Sequence, residues 1–376
     1  MGATIPIKEL SGGPSMFDER NNADGSDGAA TAPPHSRPGL LRSIAHRLAG
    51  DPDVLPVEGR LPSFEGATGW LNSEPLTPQG LRGRVVLVDF LTYTCINWLR
   101  TAPYIKAWDA KYGDVGLTVI GAHTPEFGFE QNIDNVVGRL RALGVEYPIA
   151  VDSNYGVWEA FANHFWPAIY IADAEGRIRW HHFGEGEYAM TEMVVQQLLL
   201  EAGAEGVDPE LVSVEPKGFE VAADWRTLRT PETYVGYGRS AAFASPESAR
   251  FNVPHTYPKP DRLFLNEWAP SGPWTLAQHA AVSNETGARI GFQFQARDVN
   301  LVMGPATRGT KVPFRVLLDG QAPGDSHGFD VDEAGNGTLA EQRLHQLIRQ
   351  PGSIRERLVE IEFLGAGAEA YCFTFG

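Results

Sequence analysis

The chain has 376 residues, enough for two or three domains of ordinary size, and carries 31 Lys and Arg against 47 Asp and Glu. The net charge of −16 argues against nucleic-acid binding, because phosphate would be repelled over most of the surface. With 43% hydrophobic and 21% charged residues, the composition is that of a globular protein. No run of about 18 apolar residues occurs, so we expect no membrane span.

Cysteine usage and the first residues bear on the compartment. Two cysteines, Cys95 and Cys372, are too few for a disulfide scaffold or for a zinc site built from four thiolates. The first residues show no basic segment followed by an apolar core, so we expect no secretory signal and a cytoplasmic location. A start codon further upstream would change this expectation to an extracytoplasmic one.

The pattern of residues along the chain predicts four segments. Residues 1–54 are rich in Gly, Ala, Asp, Ser and Pro and predict a disordered or poorly ordered tail, with a short helix near 40–48. Residues 55–203 alternate between apolar runs and helical periodicity, which predicts an α/β domain. Residues 204–230 are a polar linker. In residues 231–376 the hydrophobic period falls to about two, and short strands between Gly- and Pro-rich turns predict an all-β sandwich.

The α/β domain is predicted to contain parallel strands joined by crossover helices and to end in an antiparallel pair. Its predicted strands are 85–90, 117–122, 148–151, 168–172 and 177–183, and its predicted helices are 95–112, 129–143, 157–165 and 189–202. The predicted strands of the sandwich are 263–268, 289–295, 299–303, 312–318, 359–363 and 370–375. In an open α/β sheet, chemistry gathers at the carboxyl ends of the strands, which directs attention to the residues that follow each strand.

Cys95 carries the strongest functional signal. It follows the first predicted strand and opens a helix, where backbone N–H groups favour a thiolate and lower a cysteine pKa. Asp89 lies in that otherwise apolar strand; burial would raise the pKa of its carboxyl, which could then exchange a proton with the thiol. The structural alternatives are a cysteine that only fills the core and a solvated aspartate at a strand end.

Other residues are candidates for a site around this thiol. Trp98 and Trp166 could form an apolar rim, and Pro167 would present its neighbouring backbone to the sulfur if the bond before it were cis. Glu126 follows the second predicted strand at the same sheet edge as Cys95, where it could act as a base or orient a substrate, as could His123. Packing of the aromatic rings and a solvated acid in a turn are the structural alternatives.

We expect no cofactor and no metal. His181, His182 and Glu185 lack a spacing that specifies ligands. Residues 330–341 match part of a calcium loop, but Ala334 removes one ligand, so a polar turn is the simpler interpretation.

Two tryptophans of the second domain, Trp268 and Trp274, would stack on a sugar if they were exposed and would otherwise pack in the core. Cys372 lies in the last predicted strand, and core packing is the simplest explanation for it.

Together these motifs resemble the thioredoxin superfamily, through Val-Asp-Phe at 88–90, Cys95, Pro103 and the Pro167 loop. Residues 55–376 are more closely similar to the soluble part of DipZ-type proteins, in which a thioredoxin-like redoxin domain precedes a small β-sandwich that resembles carbohydrate-binding modules. The matching segments are TYTCINWLR (92–100), HTPEFGFE (123–130), YPIAVDSNY (147–155), WPAIY (166–170) and FGEGEY (183–188).

The sequence departs from this family at one decisive position. The family's dithiol motif is Cys-x-x-Cys, whereas here Trp98 replaces the second cysteine. The resemblance therefore implies a single-cysteine oxidoreductase that acts on a thiol, disulfide or peroxide and needs an external low-molecular-weight thiol or a reductase to resolve the adduct. The alternative is a non-catalytic binding or scaffold protein with a degenerate redox domain and a ligand-binding sandwich.

Overall fold

The computed structural model describes residues 55–376, and the predicted tail and the helix near 40–48 lie outside them. The first sheet has seven strands, in the spatial order β1-β7-β6-β3-β4-β5-β2. In chain order these strands are β1 (Gly59–Arg60), β2 (Gly69–Leu71), β3 (Val85–Leu91), β4 (Leu117–His123), β5 (Ile149–Val151), β6 (Ala168–Ala172) and β7 (Arg177–Phe183). Strands β3, β4 and β5 are parallel, whereas β6 and β7 run antiparallel to their neighbours.

Four α-helices flank this sheet: α1 (Ile96–Tyr112), α2 (Ile133–Ala142), α3 (Gly156–Ala160) and α4 (Tyr188–Glu201). The predicted order of strands and helices is confirmed, and α1 continues through Pro103. The predicted helix at 129–143 begins as a separate 3-10 turn, Gly128–Gln131, and the helix at 157–165 ends at Ala160.

Strand β3 lies at the centre of the first sheet and is buried along its whole length. Side chains alternate between the two faces of a strand. Leu87 and Leu91 accordingly pack in the cluster that contains α1 and α4, while Val88 and Phe90 pack against α3 on the other face. This alternation places Asp89 on the same face as Leu87, towards α1.

The second sheet has eleven strands. They are β8 (Thr233–Tyr234), β9 (Pro254–Tyr257), β10 (Trp268–Leu276), β11 (Ala281–Ser283), β12 (Arg289–Phe294), β13 (Asp298–Pro305), β14 (Val312–Leu318), β15 (Asn336–Leu339), β16 (Arg343–Arg349), β17 (Arg357–Phe363) and β18 (Ala368–Phe375). The main path runs β15-β14-β17-β12-β10-β11-β18-β13-β16, with β8 paired to β18 and β9 paired to β10.

This sheet folds over on itself. Strands β12 and β18 are not neighbours in the hydrogen-bonded path, yet the rings of Phe292 and Phe373 lie 5.0 Å apart. The two halves of the sheet therefore enclose one apolar core, as expected for the predicted sandwich. The predicted strand at 263–268 is wrong, because the chain turns between Phe264 and Glu267, with Asn266 in the left-handed region, and β10 begins only at Trp268.

The sandwich packs against the α/β domain through a local irregularity in β18. The register between β13 and β18 shifts at Tyr371, which leaves this residue without a partner in β13. Such a bulge re-aims the side chains around it. Tyr371 and Cys372 consequently both pack in the core cluster of the α/β domain, whereas Phe373 packs inside the sandwich. The Tyr371 ring centre lies 5.3 Å from that of Phe127 and 4.8 Å from that of Phe129.

The boundaries of the linker at 204 and 230 stay predictions. Within residues 55–376, none of the helices combines the length and the apolar character that crossing a bilayer requires.

Candidate functional site

Cys95 lies where the chain passes from β3 into α1, as the N-cap residue of that helix. The residue as a whole is partly exposed. The thiol donates a hydrogen bond to the carbonyl oxygen of Trp166, with Sγ and O 3.7 Å apart, and the Trp166–Pro167 bond is cis. The structure thus brings Cys95 together with the loop that the sequence associated with it.

The electrostatics of the thiol differ from the sequence-based expectation. Burial raises the pKa of Cys95, and the Glu126 and Glu232 carboxylates raise it further. Backbone N–H groups of Asn97 and Trp98 act in the opposite direction, as expected at a helix N-terminus, but desolvation is the larger effect. The expected lowering of the pKa is therefore wrong for this arrangement, in which Cys95 rests as a protonated thiol.

Asp89 is fully buried in β3, as predicted. Burial raises the pKa of its carboxyl to about 7, although hydrogen bonds from Trp98 and Tyr147 oppose the shift. Oδ2 accepts from Trp98 Nε1 at 2.9 Å and from the Tyr147 hydroxyl at 3.5 Å, whereas Oδ1 has no hydrogen-bond partner among residues 55–376. A buried carboxyl with a pKa near neutrality and one free oxygen is suited to accept and return a proton.

Trp98 does not lie at the exposed rim where the sequence analysis placed it. Its side chain is 0% exposed, and its indole N–H points to Asp89. The physical reason is its position on α1: Trp98 lies on the same helix face as Ile105 and Trp108, which are also fully buried. The apolar spacing of these residues was the signal that could have placed Trp98 inside.

Trp166 does lie beside the thiol, half-buried, with its ring 4.2 Å from that of Trp158. Pro167 follows it and is buried at the start of β6. The Trp166 Nε1 atom has no hydrogen-bond partner. The group that contacts Cys95 from this side is therefore the backbone carbonyl of Trp166.

Glu126 lies on the loop that follows β4 and its side chain is only 13% exposed. Its Oε1 atom accepts hydrogen bonds from the Tyr234 hydroxyl and from Arg239 Nη1, the latter at 3.0 Å. Both donors belong to the second half of the chain, more than one hundred residues away. Sequence reasoning missed Tyr234 and Arg239, because no local pattern indicates which residues of one domain meet a loop of another.

Glu130 is a second buried acid that sequence reasoning missed. Thr94 Oγ1 donates to its Oε1 atom at 2.7 Å, and the backbone N–H groups of Glu126 and Phe127 donate to Oε2. Burial raises the pKa of Glu130 to about 7. A single acid among the aromatic residues at 127–130 was the available signal. Glu130 fixes the shape of the loop that carries Glu126.

His123, a predicted alternative base, is buried at the end of β4, and burial lowers its pKa to about 4. It is therefore neutral at physiological pH. Its ring stacks on that of Tyr93, with ring centres 5.6 Å apart. His181 lies elsewhere, on β7, where its Nδ1 atom contacts Glu58 at 2.7 Å. Within residues 55–376, no group of three or more His, Cys, Asp or Glu side chains is placed to hold a metal ion.

The candidate ligand-binding residues of the sandwich are buried in its core or paired with other residues of the protein. Trp268 and Trp274 are fully buried, so neither ring offers a face to a sugar. In the 330–341 segment, Asp330 pairs with Arg343 at 2.6 Å, and Asp332 accepts from the backbone N–H of Asn336. These contacts are those of a polar turn that leads into β15.

Comparison with known proteins agrees with this architecture. Residues 230–376 match the family model described as "thioredoxin like C-terminal domain". The chain is 39% identical to protein DipZ of Mycobacterium tuberculosis over 249 residues, which are 65% of this chain and 35% of DipZ. The fold is thioredoxin-like, followed by a β-sandwich. The chain thus spans about a third of the length of this curated relative.

Two further known proteins match over a smaller share of the chain. The thiol-disulfide oxidoreductase YkuV of Bacillus subtilis is 29% identical over 145 residues, 38% of this chain and 95% of YkuV. A solved thioredoxin-like protein in the oxidized form is 27% identical and covers 39% of this thioredoxin-like chain and 97% of its own, with a TM-score of 0.36.

Proposed function

We propose that this protein is a thiol-dependent oxidoreductase in which Cys95 is the sulfur that reacts with the substrate. The observation that carries the proposal is the position of Cys95: partly exposed, at the N-terminus of α1, with Sγ 3.7 Å from the Trp166 carbonyl oxygen. The similarity to a thiol-disulfide oxidoreductase supports the same chemistry.

The first step requires a base, because Cys95 rests as a thiol. Asp89 is the group we assign to this role, since burial raises the pKa of its carboxyl to about 7 and its Oδ1 atom is free. Asp89 takes the proton, directly or through a water molecule, as the substrate approaches. The Cys95 thiolate then attacks one sulfur of a disulfide; the S–S bond breaks, a mixed disulfide forms on Cys95, and the other sulfur leaves as a thiolate that takes up a proton.

An external thiol completes the cycle. It attacks the mixed disulfide, a new disulfide leaves, and Cys95 returns to its thiol form. With a peroxide as substrate, the thiolate would break the O–O bond, giving an alcohol or water and a sulfenic acid on Cys95, which two external thiols reduce. The external step is needed because Trp98 occupies the position of the second sulfur and Cys372 is only 2% exposed.

A second candidate function is a binding or scaffold protein whose redox domain is degenerate. Two observations favour it: burial raises the pKa of Cys95, which makes the thiol a poor nucleophile at neutral pH, and Trp98 fills the site of the resolving sulfur. This candidate predicts that binding to a partner survives the Cys95→Ala substitution.

Cys95→Ser tests the proposal, with Cys372→Ser as the matched control. Each variant is assayed for reduction of hydroxyethyl disulfide and of hydrogen peroxide in the presence of glutathione and its reductase. We expect Cys95→Ser to lose turnover of both substrates and Cys372→Ser to retain it. Turnover that survives in Cys95→Ser would contradict the role of Cys95, and an inactive wild-type protein would favour the scaffold candidate. The cytoplasmic location expected from the sequence stays a prediction.

A further inference from the structure

The loop that carries Glu126 is held by the β-sandwich as well as by its own domain. Tyr234 and Arg239 both donate hydrogen bonds to Glu126 Oε1, and the Arg239 guanidinium lies 3.5 Å from the centre of the Tyr234 ring. The three side chains thus form one interdomain cluster in which a cation, an aromatic ring and a carboxylate are in direct contact.

On the sandwich side, strand pairing holds this cluster in place. Tyr234 belongs to β8, which pairs with β18 so that Tyr234 lies opposite Cys372. The Phe127 ring, next to Glu126 in the chain, lies 6.2 Å from the Tyr234 ring and 5.3 Å from the Tyr371 ring. The position of the Glu126 carboxylate is therefore set by the fold of the second domain and by the packing between the domains.

We propose that Tyr234 and Arg239 are positioning residues for the reaction at Cys95, because they hold the Glu126 carboxylate and balance its charge. The loop that carries Glu126 is tied to Thr94, the neighbour of Cys95, since Thr94 Oγ1 and the Glu126 backbone N–H both donate hydrogen bonds to Glu130. The second domain then completes the active site of the first, and its contact with Glu126 sets how readily Cys95 reacts. This inference rests on the proposed function of Cys95 and adds to it a contribution from the sandwich.

The charges near Cys95 affect how readily its thiol ionises. A carboxylate near a thiol disfavours the thiolate, whereas a cation paired with that carboxylate weakens the repulsion. Glu126 is one of the groups that raise the pKa of Cys95, and Arg239 forms its ion pair. The titratable and charged groups that face Glu126 are Glu130 and Tyr155 of the α/β domain and Glu232, Tyr234, Arg239 and Cys372 of the sandwich.

The test measures the rate at which iodoacetamide, an uncharged reagent, alkylates Cys95 in the full chain between about pH 6 and 10. We expect Glu126→Gln to react about 3- to 10-fold faster than wild type at a given pH, because the thiolate fraction rises, and Arg239→Gln to react about 3- to 10-fold slower. Tyr234→Phe keeps the ring and removes one donor, so its change should be in the direction of Arg239→Gln but smaller.

Two further variants separate positioning from a general structural effect. The effect of Arg239→Gln should be reduced in the Glu126→Gln background, because Glu126 is one of the two carboxylates, with Glu232, whose charge Arg239 balances near the thiol. Arg308→Gln is the matched control: it removes another cation of the sandwich that pairs with the α/β domain, at Asp134, with 2.9 Å between Nη1 and Oδ2. We expect its alkylation profile to coincide with that of wild type.

The inference fails if Arg239→Gln and Glu126→Gln both alkylate like wild type, or if the Arg239→Gln effect is as large in the double variant as in the wild-type background. These outcomes concern only the role of the second domain. Failure of the proposed function would show separately, as disulfide turnover that does not depend on Cys95 in a protein whose alkylation profile still responds to Arg239→Gln.

Discussion

The indole N–H of Trp98 donates a hydrogen bond of 2.9 Å to Oδ2 of Asp89. The residue that replaces the second sulfur of a dithiol motif is therefore bound to the buried acid of the central strand. This contact satisfies one carboxyl oxygen and leaves the other, Oδ1, without a partner. Where the dithiol motif has its second cysteine, this chain thus has a buried indole that binds the acid of β3.

Trp98→Phe tests the energetic value of this hydrogen bond. It leaves Asp89 Oδ2 with only the Tyr147 hydroxyl at 3.5 Å, so we expect the free energy of unfolding to fall by about 1–3 kcal/mol beyond the effect of lost volume. Trp180→Phe is the control, because Trp180 is also buried but its Nε1 atom has no partner. Urea unfolding measures both. Equal losses in the two variants would show that the Trp98–Asp89 hydrogen bond contributes nothing.

Asp89→Asn should change how stability depends on pH. In the unfolded chain Asp89 ionises near its usual pKa of 3.8, whereas in the folded protein burial raises the pKa to about 7. Between these values the folded state holds a proton that the unfolded state has lost. The contribution of Asp89 to stability is therefore fully present below about pH 4 and is lost as the pH rises to about 7.

We expect the Asn variant to lose this dependence. Between pH 5 and 7 the decrease in unfolding free energy should be smaller than in wild type by about 2–3 kcal/mol, measured by urea unfolding at each pH. Asp134→Asn, at an exposed carboxylate on α2, serves as the control and should leave the wild-type dependence in place. An unchanged slope in Asp89→Asn would mean that Asp89 ionises in the folded protein near its usual pKa.

Local patterns in the sequence were sufficient for the succession of strands and helices from β3 to the last helix of the first domain and for the position of Cys95, but not for the short strands β1 and β2. Asp89 stood out because it interrupts an apolar strand, and its burial follows from the central place of β3. The pKa of Cys95 could not be predicted in the same way. A helix N-terminus is visible in the sequence, but the desolvation that outweighs it depends on which residues of the whole fold cover the sulfur.

The two cysteines should differ in reactivity. Cys95 is partly exposed, whereas Cys372 is 2% exposed and lies in β18 between two hydrogen-bonded neighbours, β13 and β8. We expect a maleimide to modify Cys95 at least tenfold faster in the folded protein, as measured by peptide mapping over time, with both sites reacting alike in urea. Faster modification of Cys372 would show that β18 opens and would contradict this packing.

The pH dependence of Cys95 modification gives a separate prediction. Because burial raises the pKa of this thiol, the rate of alkylation should keep rising with pH beyond about 10, where an ordinary cysteine with a pKa of about 8.5 approaches its plateau. Stopped-flow or mass-spectrometric rates in the Cys372→Ser background measure this directly. A plateau below about pH 7 would instead indicate the low-pKa thiolate that the helix N-terminus alone would favour.

Sequence patterns could not predict the contacts between the two domains. Alternation predicts which residues of β18 face the sandwich core, but the bulge at Tyr371 breaks the alternation and turns Tyr371 and Cys372 together towards the α/β domain. A bulge arises from the pairing of two strands, so it has no signature in one strand alone. The partners of Glu126 were missed because they, too, are brought to it only by contacts between residues far apart in the chain.

Tyr371→Ala tests whether this packing joins the two domains into one cooperative unit. The substitution removes a ring that contacts both Phe127 and Phe129, so we expect a loss of about 3–5 kcal/mol in unfolding free energy and faster maleimide modification of Cys95 as the interface loosens. Tyr371→Phe keeps the ring and loses only the hydroxyl contacts with Glu369 and Gln342, so it should cost about 1 kcal/mol and leave modification of Cys95 unchanged. If Tyr371→Ala left both quantities at their wild-type values, the aromatic contact would not hold the domains together, and the interdomain cluster at Glu126 would have to form without its support.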